Sequence, residues 1–240
     1  MITKIIKSFF KKVGFEIKRD SIVHSQYSRL SRILIDFQIN LVYDIGANTG
    51  QFGNELRELG YQGKIVSFEP LPDAYDILVA NSKKDLLWDI APRTAIGNEN
   101  GEIEINIAGN SASSSILEMH NTHLKAAPVT ATIGTAKVQI KKIDFFCNDY
   151  LKTDSNLFVK VDTQGYEDNI LNGGPITIAR TKVLQIEISL TELYQGQKLI
   201  LEMIAKVQNL GFELWGLEPV FVNPETGQML QVDAVFVRKA

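Results

Sequence analysis

The stretch "LVYDIGANTG", residues 41–50, decides the fold. Four apolar or aromatic positions interrupted only by Asp44 run into Gly46 and Gly50, and Phe52, Leu56 and Leu59 then recur at helical spacing until Gly60 ends them. This is a strand, a glycine turn and a helix. In open α/β sheets ligands bind at the carboxyl ends of the strands, and glycine lets the backbone turn there and approach a ligand closely. The order Gly-Ala-Asn-Thr-Gly is not G-x-G-x-x-G, so the close glycine pair that admits a pyrophosphate is missing. A carboxylate at Asp44 repels phosphate and suits an ammonium or sulfonium charge.

The next apolar run, "KIVSFEP" at 64–70, ends in Glu69. An acid at the end of the second strand can accept hydrogen bonds from both hydroxyls of a ribose. A ligand with a ribose, a positive charge and no required phosphate is S-adenosylmethionine. Beyond these two segments, strand candidates fall at 88–95, 102–107, 137–140, 156–162, 182–188, 212–217 and 232–238. Helical patterns lie at 72–80, 165–173 and 199–210. Strand–helix alternation predicts crossover connections and a mostly parallel sheet. Residues 100–140 break the rhythm and read as a hairpin and loop insertion. The expected organisation is a basic amphipathic helical extension over 1–38 and one α/β domain over 39–240.

Five motifs in this order, "VYDIGANTGQF", "SFEPLP", "AIGNENG", "SSSIL" and "VKVDTQGYE", resemble those of the FkbM-type S-adenosylmethionine-dependent methyltransferases. The resemblance covers about residues 40–238. It implies a Rossmann-like class I methyltransferase with a seven-stranded, mostly parallel sheet whose last strand is antiparallel. It implies transfer to a hydroxyl of a sugar, in a glycan or glycolipid precursor, or of a natural product. Carried onto matching positions, Asp44, Gly46, Ala47, Asn48, Thr49, Gly50 and Phe52 surround the methionine and ribose end of the cofactor. Glu69 holds the ribose diol, Pro70 and Leu71 flank the adenine, Ala95 and Ile96 pack near its face, and Ser114 belongs to the serine patch. Plain helix capping is the competing role for Asn48 and Thr49.

A sugar hydroxyl is a poor nucleophile, so its proton must be taken as the methyl moves. Asp162 stands at the end of a buried strand, Glu167 follows Gly165 into a helix, and Glu187 ends the neighbouring strand, so three carboxylates are expected at one cleft mouth. One of them acts as general base, or they bind Mg²⁺ through oxygen; no D-x-D-type pair favours the metal. Each also has a structural reading: a helix cap for Asp162, a first-turn charge for Glu167, a buried hydrogen bond for Glu187. His120 and His123, three apart in the insertion, can supply a base or substrate contact. No third nitrogen or sulfur ligand follows them to make a metal site.

Composition excludes several classes. The single cysteine, Cys147, rules out an internal disulfide framework and suits a reducing cytoplasm. Residues 1–19 hold six Lys/Arg and one Glu, a charge of +5, against −3 for the chain, which leaves −8 for the remainder. That acidic remainder argues against nucleic acid as a partner. The basic N-terminal helix either packs its apolar face on the domain, the favoured expectation, or lies on an anionic membrane surface beside a lipid-linked acceptor. Two other functions remain open: a non-catalytic cofactor-binding module in an assembly, and a nucleotide-dependent oxidoreductase, which Asp44 disfavours.

Overall fold

A computed structural model describes residues 2–17 and 20–239, with side chains from residue 6 onward. In chain order the elements are α1 (Ile2–Lys12), α2 (Gln26–Asp36), β1 (Leu41–Ile45), α3 (Gln51–Glu58), β2 (Lys64–Phe68), α4 (Pro72–Ser82) and β3 (Trp88–Ile90). The insertion contributes β4 (Ala95–Gly97), β5 (Gly101–Ala108), α5 (Asn121–Ala126) and β6 (Thr132–Lys142), and α6 (Cys147–Tyr150) follows. The second half holds β7 (Leu157–Val161), α7 (Glu167–Gly173), α8 (Pro175–Arg180), β8 (Thr181–Ser189), α9 (Ile200–Asn209), β9 (Phe212–Val222) and β10 (Met229–Arg238).

Seven strands form one sheet in the order β3-β2-β1-β7-β8-β10-β9. The pairs from β3 to β8 are parallel, and β10 runs antiparallel between β8 and β9. This is the Rossmann-like class I methyltransferase sheet, with its last strand reversed. The antiparallel strand follows from chain economy: β9 and β10 are joined by a tight turn at Asn223–Gln228, and such a turn can only make an antiparallel pair. The run 88–95 does not form one strand. Trp88–Ile90 pairs with β2, whereas Ala95–Gly97 leaves the sheet and pairs with β6. Pro92 lies between them and cannot donate to a ladder. The insertion is a separate three-stranded sheet, β4-β6-β5. Its strands outrun the segments 102–107 and 137–140 because the outer half of β6 is exposed and polar, without an apolar pattern to mark it.

Each sheet face has its own core. One packs Ile45, Phe68, Ile96, Ile140 and Ile170 between the sheet, the insertion and α7 to α9. The other packs Ile33 and Leu34 of α2 and Leu56 of α3 on Val42, Ile65, Phe158 and Val183. Helix α2 thus shares the domain's core. Helix α1 does not. Phe9 is 62% and Val13 55% exposed, so the favoured expectation that its apolar face covers the domain is corrected: within residues 6–13 that face is in water.

The α3 glycine Gly53 is needed for close packing. A Cβ there would lie 2.1 Å from Cζ2 of Trp88, whose ring is pinned by its Nε1 donating to Ser67 Oγ at 3.0 Å. Gly53→Ala should lower stability by about 1–3 kcal/mol from overpacking, outweighing the gain of about 1 kcal/mol in helix propensity. Thermal denaturation reads the difference; an unchanged or higher midpoint would show that Trp88 can yield.

Candidate active site

A cleft of about 240 Å³ opens at the carboxyl ends of β1, β2 and β7, with the serine segment of the insertion as its far wall. Asp44 forms its floor and is fully buried. Its Oδ2 accepts a hydrogen bond from Ser67 Oγ at 3.2 Å, while Oδ1 has no partner among the described residues. A buried acceptor left unpaired costs about 1–3 kcal/mol, so the site is built to receive a donor or a cation. Burial raises the Asp44 pKa, with Lys160 opposing and Asp162 reinforcing that shift. Gly46 has φ +80°, and a Cβ on it would lie 1.9 Å from the Asp162 carbonyl oxygen. Only glycine therefore lets the β1 and β7 turns meet beneath the cleft.

Glu69 spans the β1 and β2 turns. Its Oε2 accepts from the Asn48 backbone N–H and its Oε1 from that of Leu71, both at 2.8 Å. Burial pushes its pKa up to about 7 against those two donors. Two of the roughly four acceptor positions of a carboxylate remain. Asn48 holds a left-handed φ of +48°, and its Nδ2 donates to Ser111 Oγ at 3.2 Å across the cleft mouth. Ala47, Phe52, Pro70, Leu71, Ala95, Ile96, Ser114 and Asp162 also line the cleft. Two expected residues do not. Gly50 faces the core, where a Cβ would meet Leu78 at 2.9 Å. Thr49 is not part of the cleft wall, and its carbonyl accepts from Asn81 Nδ2 at 2.8 Å. Capping by Asn48 or Thr49 does not occur either, because the N-cap of α3 is Gly50.

The three carboxylates do not converge. Asp162 alone lines the cleft, with Oδ2 on Lys160 Nζ and Oδ1 on Gln164 Nε2, each at 2.9 Å. Glu167 closes its own turn: Oε1 accepts from the Thr163 and Gly165 backbone N–H groups at 3.0 and 3.1 Å, and burial pushes its pKa to about 7. Glu187 lies beneath the cleft, accepting from Gln164 Nε2 at 2.6 Å and Gln231 Nε2 at 2.8 Å. Burial, with Asp162, Asp233 and Glu167 nearby, holds its carboxyl well above the usual range. His120 stands outside the cleft and caps α5, its Nδ1 accepting from the Thr122 N–H at 3.2 Å. His123 packs between Tyr194 and Phe221, where burial lowers its pKa to about 4. Among the described residues no group of three His, Cys, Asp or Glu is placed to hold a metal ion.

Two functional positions were not singled out by sequence. Lys160 lies in the middle of a buried strand, a pattern that reads as core. Burial opposes its charge, but Asp162, Asp44 and Asp233 outweigh that effect and hold the ammonium above the usual lysine range. Gln164, at φ +58°, is a hub. It donates to Asp162 and Glu187, accepts from Tyr194 Oη at 2.8 Å, and its carbonyl accepts from Ser115 Oγ at 2.6 Å. Its place in the turn after β7 was the only sequence signal.

A reversed last strand, an acid-floored glycine turn and a second acid after β2 define an S-adenosylmethionine-dependent methyltransferase. More particularly, residues 44–214 match the model of the methyltransferase FkbM domain, and the chain belongs to that family. It is similar to the 2-O-methyltransferase NoeI of Sinorhizobium fredii (strain NBRC 101917 / NGR234), 26% identical over 171 residues. That match takes in 65% of this chain and 66% of the relative, just under two thirds of its length. Among solved structures, a putative S-adenosylmethionine-dependent methyltransferase from Listeria monocytogenes aligns with a TM-score of 0.48 and 10% identity, over 89% of this chain and 98% of that one. A TehB-like methyltransferase from Corynebacterium glutamicum aligns at 0.42 and 12%, over 99% and 97%. The fold class rests on the strand order above.

The buried acids in the cleft and in the turn beside it give the protein a testable pH dependence. An acid whose folded pKa is raised contributes stability that is full below its unfolded pKa and is lost as pH rises to the folded value. For Glu69 and Glu167 that window runs from 4.5 to about 7, worth on the order of 3 kcal/mol each. His123, lowered from 6.5 to about 4, works the other way but is one group against several. The ligand-free protein should therefore melt higher near pH 5.5 than near pH 7.5, and Glu167→Gln should shrink the gap. Melting curves at both pH values check this, and a higher midpoint at the alkaline end would refute it.

Proposed function

We propose that the chain transfers a methyl group from S-adenosylmethionine to a hydroxyl of a sugar, in a glycan or glycolipid precursor. The observation that carries this reading is the buried, unpartnered Oδ1 of Asp44 in a cleft whose other charges are Glu69, Asp162 and a paired lysine. No free cation is left there to hold a phosphate, so a dinucleotide finds no counter-charge. A sulfonium- and ammonium-bearing nucleoside does. The relative NoeI is a 2-O-methyltransferase, which supports oxygen as the acceptor atom.

Asp44 would draw the positively charged end of the cofactor, and Glu69 would accept from the ribose hydroxyls. Ala95, Ile96 and Leu71 supply the apolar walls for a base. When bound, S-adenosylmethionine supplies a methyl group already activated for in-line displacement. The protein's part is alignment and removal of one proton. Asp162 takes that proton at Oδ1 while Lys160 keeps hold of Oδ2. Gln164 fixes the carboxylate's orientation from the other side.

The site of action would be the cytoplasmic face of a membrane. Phe9, Phe10 and Val13 of α1 are exposed on a segment rich in lysine, the combination that binds anionic lipid. No helix among the described residues is long and apolar enough to cross a membrane. Pelleting with anionic vesicles should recover the full chain and lose it once residues 1–19 are deleted. Equal, negligible pelleting would remove the membrane contact.

Titration calorimetry with S-adenosylmethionine should show binding that weakens at least ~10-fold, about 1.4 kcal/mol, in Asp44→Asn and Glu69→Ala. Asp162→Asn should keep that affinity and lower kcat by about 10²–10⁴-fold, the usual worth of a positioned base. Turnover at the wild-type rate in Asp162→Asn would sink the base assignment.

A further inference from the structure

A second cavity, of about 330 Å³, lies between α2, α3 and the strands β8, β9 and β10. It shares three wall residues with the cofactor cleft: Gln51, Phe52 and Lys160. Its floor belongs to the sheet face that carries Asp44. Lys160 pairs in register with Asp44 on one side and Gln185 on the other, and Asp233 pairs with Glu218. Elsewhere that face is Val42, Ile65, Phe158 and Val183, as a helix-covered sheet requires. A polar row on such a face is costly when dry. It is stable where the face opens into a wet site.

The charges of this cavity identify its occupant. Arg29 forks onto Glu218 at 2.5 and 2.6 Å, Arg32 is tied to Asp36 at 2.7 Å, and Lys160 to Asp162 at 2.9 Å. Every lining cation is therefore spoken for. Glu55 and the second oxygen of Asp233 are not, since only Asp233 Oδ2 is bonded, to Gln185 Nε2 at 2.9 Å. These are hydrogen-bond acceptors for hydroxyl groups, and they repel phosphate. Trp215, 56% exposed, stands at the rim with its ring edge-on to Phe37 at 6.1 Å. It offers a flat apolar face above convergent polar groups, the makeup of a small-molecule site.

We propose that this cavity is the acceptor site and takes an uncharged pyranose ring, laid on Trp215 with its hydroxyls on Asp233, Glu55 and Gln185. The proposal rests on the methyltransferase reading above and adds where, and in what chemical form, the acceptor binds. Lys160 is the link between the two sites. It walls the acceptor cavity and holds Asp162 in the cofactor cleft through the same ammonium. No atom of the transfer changes: the acceptor hydroxyl loses its proton to Asp162 and gains the methyl carbon, and the sulfonium leaves as a neutral thioether.

The test uses the full chain and the methyl α-pyranosides of glucose, galactose and mannose as probes in saturation-transfer NMR, with glucose 1-phosphate as the charged counterpart. At least one methyl pyranoside should receive saturation from the wild type. Gly216→Phe should abolish it. Gly216 lines the cavity and a Cβ on it meets nothing within 4 Å, so the backbone there has room to carry a side chain. Trp215→Ala and Asp233→Asn should weaken it at least ~10-fold, with S-adenosylmethionine affinity by calorimetry within ~2-fold of wild type in Gly216→Phe and Trp215→Ala. Saturation that persists in Gly216→Phe, its absence from the wild type, or preference for glucose 1-phosphate would each overturn the site. If pyranosides bind as expected but S-adenosylmethionine does not, the cavity stands as a sugar site and its acceptor role falls with the methyltransferase reading.

Discussion

A fully buried carboxylate opposite a buried ammonium governs this molecule. Asp44 and Lys160 are register partners on adjacent parallel strands, and Ser67, Asp44's partner on the other side, donates to its Oδ2. Isolated, either charge would be far too costly to bury. Together, and with Asp162 two residues further along, they offset part of that cost: Lys160 opposes the burial that raises the Asp44 pKa, and the neighbouring acids hold the lysine charged. The arrangement tolerates no slip. Moving β7 by one residue would set Val159 or Val161 against Asp44 and turn the whole alternation of faces over. Packing beneath serves the same end, because Trp88 rests on Gly53 and donates to Ser67. The glycine of α3, the indole and the serine are thus one support for the acid on the cleft floor.

Gln164 performs the equivalent task at the other end of the cleft. Its left-handed backbone stores strain of order 1–3 kcal/mol, held by four hydrogen bonds to its side chain and carbonyl. Those bonds tie Asp162 to the buried Glu187, and the β7 turn to the serine segment of the insertion. Asn48 makes the matching contact from the β1 turn to Ser111. The insertion is therefore anchored on both sides of the cleft, by the Asn48 side-chain amide on one and the Gln164 backbone carbonyl on the other. This explains why it walls the cofactor site although it lies outside the main sheet.

The two cavities share a charge logic. Each has its cations already paired within the protein and keeps free acceptors pointing inward. Such surfaces favour positive or neutral, hydroxyl-rich ligands over phosphorylated ones. A single residue, Lys160, stands in both walls, so the charge balance of one site depends on that of the other.

What the sequence determined by itself was local. The strand, turn and acid of "DIGANTG" and "SFEP" placed Asp44, Gly46, Ala47, Asn48 and Glu69 around one cleft, because the end of a strand and the start of its turn are set by adjacent residues. Strand alternation determined the parallel sheet, and the order of motifs the family. Tertiary structure decided the rest. Gly50 and Glu167 carried the same local signals as their neighbours, yet one faces Leu78 and the other clamps backbone amides, since which side of a turn meets the cleft depends on what packs beneath it. His120 became a helix cap for the same reason. Lys160 carried no local signal within its buried strand and gains its place only from the register that sets it beside Asp44, and Trp215 and Asp233 meet α2 and α3 around one cavity only because β10 inserts between β8 and β9. Those juxtapositions arise between segments far apart in the chain, where no spacing within a motif can record them.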